Sequence, residues 1–143
     1  MSKSLKRVRA AIEHAGLSAT ITETALARTA ADAARAVACE IDQIAKSIIF
    51  RADDTGDAVL FITAGGNSVD PDKASDIAGT KLGKADAALI RAQTGFAIGG
   101  VSPIGHLTPI RAWFDPRLLE FSDIWAAAGT PNHVFLMQST KLL

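Results

Sequence analysis

Residues 46–63 read KSIIFRADDTGDAVLFIT, and this stretch decides the fold. Lys46–Arg51 and Ala58–Thr63 are apolar runs rich in β-branched and aromatic side chains, which fit a pleated surface. Between them lies Ala52-Asp53-Asp54-Thr55-Gly56-Asp57, whose acidic residues and glycine suit a chain reversal. The pattern predicts a β-hairpin.

Upstream, Leu5, Val8, Ile12 and Ala15 recur at helical spacing between a candidate cap, Ser4, and a stop, Gly16. Ala19–Glu23 alternates Thr and Ile as a short strand would. Thr29 then caps a helix over Ala30–Ala38, with Asp32 in its first turn, and Cys39–Ala45 forms a helical turn that delivers the chain into the hairpin. Downstream, Ala64-Gly65-Gly66-Asn67-Ser68 is turn-rich, Asp70-Pro71 opens a helix that reaches Ile77 before Gly79, and a further helix spans Asp86–Thr94 with Gly95 as its left-handed stop. Phe96–Ile98, Thr108–Phe114, Asp123–Ala127 and His133–Met137 read as strands. Asp115-Pro116 and Gly129-Thr130-Pro131-Asn132 mark turns between the later ones. Helices and strands intermix without a regular βαβ rhythm, so the expected fold is α+β, with a mixed, largely antiparallel sheet surrounded by helices.

With 143 residues and 48% hydrophobic content the chain has the size of one domain, expected to span residues 1–143. Lys plus Arg equals Asp plus Glu at 15 each, so no broad basic field marks a nucleic-acid partner, and contact with RNA would be local to one pocket rim. No DNA or membrane partner is expected, since the apolar runs are short and flanked by charge. Cys39 is alone and the N-terminus lacks a secretion-type apolar core, which points to a reducing cytoplasm.

The densest cluster of unusual residues is Gly95-Phe96-Ala97-Ile98-Gly99-Gly100-Val101-Ser102-Pro103-Ile104-Gly105-His106. Glycines at this density allow positive φ and a close approach to a ligand, and exposed amides bind a carbonyl oxygen or an oxyanion. Glycine spacing taken alone is better explained by a bulge or tight turn. Lys46 entering an apolar strand must either snorkel to solvent or neutralise a partner, and in isolation the solvated reading is the plainer one. His106 could hold a water, a ribose hydroxyl or a phosphate, or serve as a structural hydrogen-bonder. Cys39 reads as a small buried hydrophobe, and the two tryptophans, Trp113 and Trp125, as core rather than interface. Ser102 lacks the Gly-x-Ser-x-Gly elbow, and the loop lacks the Gly-Lys-Ser/Thr ending of a phosphate loop. The histidines, with His14 at a helix end and His133 in a turn, and the single cysteine have no metal-ligand spacing, so no metal or cofactor is expected.

Taken in order, the Ala30–Ala38 helix, Gln43-Ile44-Ala45-Lys46-Ser47-Ile48-Ile49-Phe50, Val69-Asp70 followed by Lys73, and Gly99–His106 resemble the YbaK/EbsC family from about Thr20 to Met137. Members of that family resemble the editing domain of bacterial prolyl-tRNA synthetases, and several are freestanding aminoacyl-tRNA deacylases. The family lysine falls on Lys46, and the family Gly-x-x-x-Pro loop on Gly99 to Pro103. The resemblance implies that the aminoacyl-adenosine end of tRNA binds between them, with Lys46, Gly99, Gly100 and Pro103 as the catalytic set. Ser47, Asn67, Val101, Ser102 and His106 are then the substrate-binding candidates. The chain ends at Leu143, where other members carry a further acidic and serine-containing segment, so no C-terminal residue is assigned a role. The implied function is hydrolysis of a mischarged aminoacyl-tRNA, with the acceptor end and an aminoacyl-tRNA synthetase as partners. The alternatives are a non-catalytic module that binds aminoacyl-tRNA or a synthetase, and hydrolysis of another small ester or amide.

Overall fold

The computed structural model describes residues 3–25 and 29–142. In chain order these form α1 (Lys3–His14), β1 (Thr20–Glu23), α2 (Ala30–Val37), β2 (Ile44–Ala52), β3 (Ala58–Ala64), α3 (Pro71–Ala78), β4 (Leu82–Lys84), α4 (Ala87–Thr94), β5 (Arg111–Phe114), β6 (Asp123–Ala127), β7 (His133–Gln138) and α5 (Ser139–Leu142). Short 3₁₀ turns cover Ile41–Gln43 and Pro116–Glu120.

The strands form one sheet in the order β1-β7-β6-β2-β3-β5, with β4 paired to the far end of β2. β1–β7, β6–β7, β2–β3 and β2–β4 are antiparallel, while β2–β6 and β3–β5 are parallel, so the sheet is mixed and largely antiparallel. The hairpin forms as its sequence predicts, with Lys46 opposite Thr63 and Arg51 opposite Ala58. All of β3 is buried, because helices cover both faces of the sheet at its centre.

Alternation along β2 separates those faces. Ala45 and Ile49 join the larger core, with Leu5, Val8 and Ile12 of α1, Ile90 of α4, Phe96 and Phe135. Phe50 and Ala52 pack on the other face with Ala74 of α3, and Ile44 packs with Ala33 and Ala34 of α2 beside Trp125. Trp113 stacks on Phe61 with ring centroids 4.9 Å apart.

The Thr29 cap follows the sequence, and Asp70 and Asp86 cap the next two helices in the same way. Thr29 accepts a hydrogen bond from the Asp32 amide, Asp70 from those of Asp72 and Lys73, and Asp86 from that of Leu89. Ser4 is not a cap, since α1 already includes it. Phe96–Ile98 is not a strand. Gly95 ends α4 in the left-handed region, Phe96 is drawn fully into the core, and Ala97–Gly100 closes a turn through the Gly100 amide and the Ala97 carbonyl. The expected strand over Thr108–Phe114 shortens to Arg111–Phe114, beyond Pro109, which has no N–H to give a ladder. β4 and α5 were not anticipated; β4 is three residues long and carries a glycine and a lysine, too little for alternation to show.

Candidate functional site

One side of β2 pairs with β3 from Ala45 to Arg51, but the other side is only partly covered. There β6 pairs with Ile44 and Ala45, and β4 with Phe50 to Ala52. Lys46–Ile49 is left as a gap in the sheet. The register shows which backbone groups face it. The Ile62 carbonyl and the Ala64 amide bond toward Asp115 on the β5 side, so Phe61 and Thr63 point to β2 and pair with Ile48 and Lys46. The amides of Ser47 and Ile49 therefore point the other way, into the gap.

A cavity of about 710 Å³ opens at this gap. Lys46, Ser47, Ile48 and Ile49 line it from β2, the first turn of α2 from one end, and Trp125–Ala127 of β6 from the side. Ile98, Gly99 and Val101 close it from the glycine loop. The walls are mostly apolar, and the side chains able to hydrogen-bond are Thr29, Lys46, Ser47, Trp125, Thr130 and His133. No carboxylate is among the lining residues, which leaves the lysine charge available to an anion.

Lys46 is half-buried, and its Nζ donates to the Gly65 carbonyl at 3.2 Å. Among the described residues it makes no ion pair. Ser47 Oγ is buried without a hydrogen-bond partner, and leaving a hydroxyl so costs free energy that a ligand's polar group can recover.

The loop after α4 puts different demands on its two adjacent glycines. Gly99 has φ +91°, a conformation that favours glycine, and a Cβ there would meet nothing within 4 Å. Gly100 is buried, and a Cβ on it would lie 3.0 Å from Thr130 Cα and 3.1 Å from the Gly129 carbonyl. Gly99 thus shows its backbone to the cavity, while Gly100 seats the loop on the β6–β7 connection.

Behind them, Ser102 and Pro103 are buried and outside the cavity lining. Ser102 Oγ accepts from the Ile104 amide at 3.2 Å, and its carbonyl accepts from His106 Nε2 at 2.7 Å. A carbonyl only accepts, so His106 carries its proton on Nε2. The ring meets Phe96 edge-on, and burial holds its pKa below the usual 6.5 despite the Ser102 carbonyl, which favours the charged form. Of the sequence-derived candidates, the fold brings Lys46, Ser47, Gly99 and Val101 to one cavity, with Gly100, Ser102, Pro103 and His106 in the body of the same loop. Asn67 lies apart. It donates to Asp115 at 3.0 Å and lines a second cavity of about 380 Å³ beside Trp113 and Ile77.

Thr130 and His133 also line the first cavity, though the sequence marked them only as a turn. Thr130 Oγ1 lies 2.7 Å from His133 Nδ1, and His133 Nε2 lies 3.4 Å from Glu23. The carboxylate places a proton on Nε2, so in the neutral ring Nδ1 accepts from the Thr130 hydroxyl. The only sequence signal was a histidine just after a Gly-Thr-Pro-Asn turn. Among the described residues no group of His, Cys, Asp or Glu is placed to hold a metal ion, and no helix is long and apolar enough to cross a membrane.

The family model for an aminoacyl-tRNA editing domain matches residues 24–143. YwhH of Bacillus subtilis (strain 168), described as uncharacterized, is 31% identical over 115 residues, or 80% of this chain and 72% of that protein. A solved structure of a candidate trans-editing enzyme for prolyl tRNA synthetase matches with TM-score 0.92 and 41% identity over all of this chain and 91% of its own. A structure from work grafting epitope backbones onto scaffold proteins matches with TM-score 0.91 and 42% identity, with the same coverage.

Proposed function

The chain belongs to the aminoacyl-tRNA editing family, hydrolases of the ester of mischarged aminoacyl-tRNA, and on that premise we propose that the ester is bound and cleaved in the cavity at the β2 gap. One observation carries the assignment of the site. Lys46 and Gly99, the positions of the family lysine and of the first glycine of the family loop, line the same cavity although they stand 53 positions apart in the sequence.

The chemistry needs little more than placement. An aminoacyl ester is already activated, so holding it against a water or a neighbouring ribose hydroxyl and polarising its carbonyl suffice without a protein nucleophile. The water oxygen attacks the carbonyl carbon and gives up a proton, the tetrahedral oxyanion collapses, and the C–O bond to the ribose breaks as the leaving oxygen takes up a proton, which frees the amino acid and restores the ribose hydroxyl. In this reading the backbone at Gly99 faces the ester, Gly100 seats the loop against the β6–β7 connection, and Pro103 holds the loop conformation. Lys46 binds the terminal phosphate or adenosine as a compact cation, next to the positive end of α2. Ser47, Val101 and the apolar wall meet the aminoacyl group. Ser102 and His106 brace the loop from behind, and Asn67 braces the Gly65–Gly66 turn through Asp115. Pocket volume selects the amino acid, because one methylene changes discrimination by only about 1–3 kcal/mol. The acceptor end of tRNA is the partner, and a synthetase acts upstream as the source of the mischarged ester.

The test is deacylation of a panel of labelled aminoacyl-tRNAs, with alanyl- and cysteinyl-tRNA for proline and seryl- and threonyl-type mischarges, by wild type and Lys46→Ala in parallel. Cleavage of one ester above its spontaneous rate, sharply reduced but still measurable in the variant, is the expected result. Undiminished cleavage by Lys46→Ala would remove the lysine from the site.

A further inference from the structure

Lys46 is aimed by a single peptide group, and that peptide is gripped from its other end. Its ammonium donates to the carbonyl of Gly65. The same planar peptide unit carries the Gly66 N–H on its opposite side, and that N–H donates to Asp42 Oδ1 at 2.8 Å. Fixing the N–H fixes the direction of the carbonyl. A Gly-Gly peptide has little steric preference of its own, so this outside restraint matters more here than it would between larger residues.

Asp42 is itself restrained. Its Oδ2 accepts from Arg117 Nε at 3.0 Å, and that hydrogen bond, reinforced by the one from Gly66, holds its carboxyl below the usual carboxylate range. Arg117 also donates its own backbone N–H to Asp115 Oδ1 at 2.9 Å, while Asp115 Oδ2 accepts from the Ala64 amide at 3.1 Å. The amides on both sides of Gly65 therefore end on carboxylates that Arg117 links.

We infer that Asp42, held by Arg117, is a positioning residue that sets the orientation of the Gly65–Gly66 peptide and through it the place of the Lys46 ammonium. The inference rests on the reading of Lys46 as the substrate-binding cation. It assigns a role to a residue 75 positions away from its arginine partner and outside the glycine loop.

Two readouts test it. In the first, an amine-selective acylating reagent labels the lysines of folded protein, and mass spectrometry follows Lys46 against Lys141 as an internal control. Asp42→Ala should change the Lys46 labelling rate several-fold and leave Lys141 unchanged; equal rates at Lys46 in variant and wild type would overturn the inference. In the second, kcat/KM for the preferred aminoacyl-tRNA should fall roughly tenfold in Asp42→Ala, within the ~100-fold that a 1 Å misplacement can cost. The loss should fall mainly on KM and disappear when Lys46 is already Ala. An equal loss in the Lys46→Ala background would show general damage instead and also overturn it. Asp42→Asn, which keeps an acceptor for Gly66 while losing the charge that faces Arg117, should recover part of the activity and provides the comparison if Asp42→Ala does not fold. If Lys46 labelling responds but Lys46→Ala deacylates like wild type, the positioning geometry stands and the substrate-binding reading of Lys46 fails by itself.

Discussion

Two Gly-Gly turns flank the cavity, Gly65-Gly66 and Gly99-Gly100, and they are held in different ways. The first is gripped by side chains, with Asp42 on the Gly66 amide and Asp115 on the Ala64 amide. The second is held by packing: Gly100 sits against the backbone at Gly129–Thr130, and buried Ser102 with half-buried His106 ties the following loop to itself. A turn gripped by charge can be loosened at a distance by one substitution. A turn held by contact distance yields only where the contact is.

That difference is open to attack from the loop side. Gly100→Ala pushes a Cβ into the Gly129–Thr130 backbone and should cost about 1–3 kcal/mol as overpacking, read as a lower midpoint in denaturant melts. Activity should fall as the loop lifts from the β6–β7 connection. Gly99→Ala has open space around it and pays only the left-handed backbone, about 1–2 kcal/mol. If Gly100→Ala keeps wild-type stability and activity, contact distance is not what holds this loop.

Smaller effects come from pH. His106 has its pKa lowered by burial, so the unfolded chain takes up the proton first. Its contribution to stability is complete above 6.5 and is lost as pH falls through the lowered folded value. Asp42 is lowered mainly by its hydrogen bond from Arg117. For Asp115 burial works in the opposite direction, but hydrogen bonds from Asn67, Arg117 and Ala64 outweigh it. These carboxylates contribute fully above their ordinary value of 3.8 and lose that contribution as pH falls through their lowered folded values. Melts of wild type and His106→Gln between pH 7.5 and 5 should converge as pH falls, while the Gly65 turn keeps its grip until far more acidic conditions. Parallel curves for the two proteins would show that His106 is not a determinant of the loop's stability.

Much of this was legible from local chemistry. The hairpin, the capped starts of α2, α3 and α4, and the joint order of Lys46 and the Gly99–Pro103 loop can be read because each signal lies within a few residues. Phe96–Ile98 misled because an apolar run between glycines looks the same whether it joins a ladder or drops one side chain into a core. The cavity itself was not legible. It exists because β4 and β6 cover different ends of β2, a consequence of strand lengths and tertiary pairing. The Asp42–Arg117 link was hidden for a similar reason: an ordinary aspartate and an ordinary arginine meet only because two 3₁₀ turns are folded together.

The gap in the sheet should also leave a signature in time. Lys46 and Ile48 give their amides to β3, whereas those of Ser47 and Ile49 face the opening, so solvent deuterons should replace alternate protons along one strand at unequal rates. Ser47 and Ile49 should exchange quickly and their neighbours slowly, a two-residue rhythm inside the best-covered part of the fold. A bound aminoacyl end that fills the opening would slow the fast pair toward the slow one.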